Sequence, residues 1–68
     1  MLINIINERN SLRLSNSMLA KRLGISKKML KKWIGCQEAI PACKLAELSQ
    51  IFGGCSVDYL LMRKCHHN

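Results

Sequence analysis

Leucine and isoleucine recur at three- and four-residue steps through most of this chain, and serine, glycine or proline interrupts each run. That spacing puts apolar side chains on one face of an α-helix, whereas a half-buried strand alternates at every second residue. Leu2, Ile5, Ile6 and Arg9 mark a first helix from about Leu2 to Asn10, although isoleucine there also suits a strand. Ser11–Ser15 reads as a polar connection holding Leu12 and Leu14. Ser15 or Asn16 offers an oxygen to the free amides opening a second helix. That helix carries Leu19, Ala20 and Leu23 on one side and stops at Gly24, which takes the left-handed conformation without steric cost. Ser26 caps a third helix, Lys27–Ile34. Gly35–Ile40 is a loop, and Pro41 suits the first turn of a fourth helix, where its missing N–H costs nothing. Leu45, Leu48, Ile51 and Phe52 form that helix's inward face, and Gly53-Gly54 ends it. Ser56 caps a short fifth helix, with Asp58 near its positive end and Val57, Leu60 and Leu61 inward. The expected architecture is all-α: five short helices around one core.

At 68 residues the chain makes one domain, residues 1–64, with 65–68 a short polar tail. A domain of this size buries only about 60% of the surface its unfolded chain exposes. That leaves no room for a deep catalytic cleft, and no phosphate loop or His, Cys and acid cluster appears. An enzyme is not expected. The N-terminus lacks a basic region followed by a long apolar run, so no signal peptide is read there. No apolar stretch approaches the roughly 20 residues needed to span a bilayer. A cytoplasmic location follows as the expectation, with Cys36, Cys43, Cys55 and Cys65 reduced. Cys65-His66-His67 has no second ligand pair at finger-like spacing, so no metal or other cofactor is expected.

Charge then narrows the partners. The net charge of +7 attracts nucleic acid, an anionic membrane surface or an acidic protein. At roughly 100° per residue, Lys27, Lys28, Lys31 and Lys32 share one half of the third helix, and Met29, Leu30, Trp33 and Ile34 share the other. The apolar half can bury while four ammonium groups project together. Like charges so close repel one another, a cost that a polyanion removes. Lys21 and Arg22 extend the positive stretch, and no acidic residue occurs between Arg9 and Glu38. A solvated face usually mixes both signs; this one does not. Trp33 lies on the apolar arc and reads as core; Met29, at the edge of that arc, can equally pack or touch a thymine methyl.

Leu19, Ala20, Leu23, Gly24, Ile25, Leu30 and Trp33 share a geometric reason. Small Ala20 lets two helices approach, Gly24 allows a tight turn, and the larger side chains fill the crossing. This is the spacing of a helix-turn-helix, whose second helix enters the DNA major groove.

Over residues 2–62 the chain resembles the Cro/repressor-type helix-turn-helix family, also called the XRE family, of phage and bacterial regulators. The most specific stretches are Leu19-Ala20-Lys21-Arg22-Leu23-Gly24-Ile25-Ser26 and Ser56-Val57-Asp58-Tyr59-Leu60-Leu61. The resemblance implies a lambda-repressor-like DNA-binding domain with its helix-turn-helix in helices 2 and 3, double-stranded DNA as ligand, and a homodimer. By position, Asn16 resembles the residue that opens the second helix and contacts phosphate. Lys27, Lys28 and Lys32 match positions that face base edges, Lys31 sits beside them, and Ser26 reaches a phosphate. Lysine can donate to guanine O6 and N7, but as a flexible point charge it discriminates bluntly. Arg13, Lys21, Arg22 and Gln37 are further candidate phosphate contacts.

The chain also departs from that family. Ile34 stands where the family has a Glu that pairs with an arginine matching Arg9, leaving Arg9 to water, Glu38 or a backbone carbonyl. Cys36 replaces a glycine, Ile40 a proline with Pro41 one step later, and Gly54 resembles an insertion. Gln37 and Glu38 occupy a usually basic loop. Lys44, Arg63 and Lys64 read as solvated charges, and Tyr59, Leu60 and Met62 as a dimer face. The expected function is a sequence-specific, repressor-like transcriptional regulator of phage or mobile-element type. The alternative is an antitoxin-like or regulator-binding protein-interaction module. A membrane-surface role does not fit, because the basic helix is too short.

Overall fold

Three of the five helices open on a serine whose hydroxyl oxygen accepts a backbone N–H. Ser15 accepts from Met18 at 3.1 Å, Ser26 from Met29 at 3.0 Å and Ser56 from Tyr59 at 3.1 Å. Each bond satisfies an amide that has no partner inside its helix and contributes about 1 kcal/mol. In the computed structural model, which describes residues 1–62, these caps precede α2 (Asn16–Leu23), α3 (Lys27–Ile34) and α5 (Val57–Leu61). The other two helices, α1 (Ile3–Ser11) and α4 (Ala42–Ile51), begin without a side-chain cap. The all-α, five-helix expectation holds, and no strand occurs among the described residues. α1 sits one residue later than its spacing predicts. Pro41 lies just outside α4, at its cap, instead of in the first turn.

Four helices end alike. The backbone enters the left-handed region at Arg13 (φ 56), Gly24 (φ 69), Cys36 (φ 61) and Gly53 (φ 81), with φ still positive at Gly54 (94). The next N–H then reaches back past the end of its helix: Leu14 to Arg9 at 3.0 Å, Ile25 to Ala20 at 3.0 Å, Gln37 to Lys32 at 2.8 Å and Gly54 to Ser49 at 2.7 Å. This is the Schellman arrangement, which supplies partners to otherwise free carbonyls. Glycine adopts it freely, but Arg13 and Cys36 do so against their own Cβ, at about 1–2 kcal/mol each.

The core lies where these short helices cross. α2 packs on α3 and α4, and α5 on α1 and α4, while α1 also meets α3. Ile5, Leu19, Leu23, Leu30, Leu48 and Leu60 are sealed from solvent, and no polar or charged residue is buried among the described residues. The N-terminus is tied down by Leu2, whose N–H donates to the Ile34 carbonyl at 2.8 Å.

Several expectations are corrected. Of the three inward residues expected on α5, only Leu60 is buried; Val57 and Leu61 are exposed, since one turn of helix has a single side against the core. Leu60 and Tyr59 are not free for a dimer face. Leu60 is sealed, and the half-buried Tyr59 donates its hydroxyl to Glu8 at 2.8 Å; Met62 alone of that set is exposed. Lys44 is not a solvated charge. Its Nζ donates to the Leu23 carbonyl at 2.6 Å and pairs with Glu47 at 3.3 Å. The free carbonyls ending α2 carry partial negative charge, which draws the ammonium in. Cys36, Cys43 and Cys55 are free thiols. Arg63, Lys64 and the Cys65-His66-His67 cluster lie outside the described residues.

Candidate nucleic-acid interface

The sequence of α3 divides its surface in two. Leu30, Trp33 and Ile34 are buried, and Met29 is partly buried against the same cluster. Trp33 is therefore a packing residue, while Met29 packs on the same cluster and keeps part of its side chain exposed. On the other half Lys27, Lys28 and Lys31 are exposed and Lys32 is half-buried. Among the described residues the one ion pair is Lys44–Glu47, so none of the four lysines has a carboxylate partner. Glu8 accepts from Tyr59, while Glu38 and Asp58 are exposed off this helix. The four ammonium groups therefore set up a positive field with no direct ion pair among the described residues to cancel it. At physiological salt it reaches about 8 Å before ions screen it.

The neighbouring helix carries exposed cations of its own. Leu19, Ala20 and Leu23 face the core, which leaves Lys21 and Arg22 on the solvent side of α2 beside an exposed Met18. The turn that joins α2 to α3 is only Gly24-Ile25-Ser26, and Ala20 at the crossing is almost fully buried. Ser26 uses one oxygen lone pair on the cap, so its hydroxyl hydrogen remains free to donate. Gln37 has an exposed side chain, but its N–H is held by the Lys32 carbonyl. Arg13 is exposed in the left-handed turn between α1 and α2.

Asn16 opens α2, and its surroundings were not foreseen. Its Oδ1 accepts from one arm of the Arg9 guanidinium, and the other arm donates to Asn10 Oδ1 at 2.8 Å. This corrects the expectation that Arg9 turns to water, Glu38 or a backbone carbonyl. Ile34 is buried in the apolar cluster and offers Arg9 no charge. Arg9 Nε is buried without an acceptor. Sequence reasoning also missed Lys44, which braces the α2 end of the turn. The only sequence signal for the Arg9 arrangement was the apolar residue at Ile34.

Two further features stand apart from the lysine face. Glu8 and burial act on two acidic groups behind α1. The Tyr59 phenol is raised above its ordinary range, first by its hydrogen bond to Glu8 and then by burial. The Cys55 thiol is raised by burial and then by the Glu8 charge. Elsewhere an open cleft of about 360 Å³ is lined by apolar residues that include Leu2, Trp33, Leu45 and Leu61 and by the polar Gln37 and Glu38. Among the described residues no three His, Cys, Asp or Glu side chains converge as metal ligands, and no helix is long and apolar enough to cross a membrane. No protein-family model matches the chain, and neither a curated protein nor a solved structure does.

Proposed function

We propose that this chain is a sequence-specific DNA-binding regulator, repressor-like and of phage or mobile-element type, that lays α3 in the major groove of double-stranded DNA. One observation carries the reading: four lysines with no acidic partner among the described residues project from one half of a helix whose other half is anchored in the core. A rigid anchor fixes where the cations stand, and phosphate supplies the charge that the protein withholds. The short α2–α3 turn and the resemblance to Cro/repressor-type regulators support a helix-turn-helix mode of docking. Lys28→Ala removes an exposed side chain, so folding is unchanged by circular dichroism while DNA affinity falls by about 1–3 kcal/mol. Wild-type affinity in the folded variant contradicts the groove assignment.

The apolar cleft beside Leu61 favours a second reading, a protein-interaction module on the same fold. Under that reading the purified chain fails to retain DNA, and Leu61→Lys abolishes a protein complex that forms without it.

A further inference from the structure

We propose that Arg9 is a positioning residue for backbone contact, locking the Asn16 amide so that it presents only N–H donors to a DNA phosphate; the inference rests on the DNA-binding reading above. Arginine donates hydrogen bonds and accepts none. The edge of Asn16 turned to the guanidinium is therefore its oxygen, which leaves Nδ2 as the free edge. An asparagine without such a partner can turn over and set its carbonyl oxygen against the phosphate. The second arm of Arg9 on Asn10 Oδ1 fixes the guanidinium itself.

The same arrangement leaves a charge uncompensated. Arg9 is held by two neutral amides, and among the described residues its Nε has no acceptor and no carboxylate pairs with it. It sits beside the first residue of α2, where the helix dipole is also positive. Two positive sources therefore face each other in the free protein.

A double-mutant cycle tests this with a labelled random-sequence DNA duplex, read by anisotropy at several salt concentrations. Arg9→Met and Asn16→Ala each weaken binding about tenfold. The double variant binds no more weakly than either single one, because Arg9 acts through Asn16. Asn16→Ala weakens binding without changing the salt slope, because a neutral amide displaces no counterion from the phosphate. Asn16→Asp gives Arg9 a carboxylate, so it raises Tm while weakening DNA binding more than Asn16→Ala does. If Arg9→Met does not fold, Arg9→Lys replaces it in the cycle, keeping the charge but not the fork. Additive losses, or an Asn16→Asp variant that binds as wild type does, overturn the inference while leaving DNA binding intact. A wild-type chain that binds no duplex removes the underlying reading, and this inference with it.

Discussion

The Tyr59 phenol reaches across the fold to Glu8, and Asn4 Nδ2 donates to the Tyr59 carbonyl at 2.8 Å, so one residue joins α5 to α1 twice. Its proton is held more tightly in the folded chain than in the unfolded one. The bond therefore stabilises the fold fully below an unfolded tyrosine pKa of about 10, and that stabilisation is lost as pH rises from there through the folded value. The raised Cys55 thiol adds a similar loss that begins about one unit lower. Urea midpoints should hold steady from neutral pH to about pH 8.5 and then fall. Tyr59→Phe should lower the neutral midpoint and flatten the part of the fall above pH 10; an unchanged alkaline profile in that variant contradicts the assignment to Tyr59. Residues of this kind are hard to read from sequence. Tyr59 and Glu8 are 51 positions apart, and Lys44 is 21 from the carbonyl it holds. Nothing local to Lys44 separates it from a solvated lysine. Arg9 was legible only as a cation missing its usual partner.

At the scale of elements, local chemistry settles most boundaries. Ser15, Ser26 and Ser56 announced three helix starts because a cap needs only one oxygen and the next turn of backbone. Gly24 and Gly53 announced two ends for an equally local reason. The ends at Arg13 and Cys36 were not legible, since neither residue favours a positive φ and the tertiary fold imposes it. Arg13 is exposed, so replacing it removes no packing. Arg13→Gly relieves the Cβ strain at some cost in unfolded-chain entropy, a net gain of about 0.5–1 kcal/mol. Thermal melts should show Tm rising by about 4 °C. No rise, or a fall, means that the arginine contributes more there than its strain costs. The lysine face was the most legible part of the candidate site, because it depends on periodicity within a single helix.

The whole molecule is a small core under an uneven coat of charge. Of its four acids, Glu8 is engaged by Tyr59 and Glu47 by Lys44, while the chain from Arg9 to Gln37 carries cations alone. That segment spans α2 and α3, the pair joined by the shortest turn. The segment therefore repels itself across two neighbouring helices, a cost that an anionic partner would offset under the proposed reading. Counterion release sets the scale of the effect, since each neutralised phosphate contributes about 0.9 to the dependence of log affinity on log salt. Affinity for a DNA duplex measured across a series of salt concentrations tests this most directly. A linear fall with a slope of about −3 or steeper matches several cations on phosphate. A flat profile, or no binding at low salt, contradicts it.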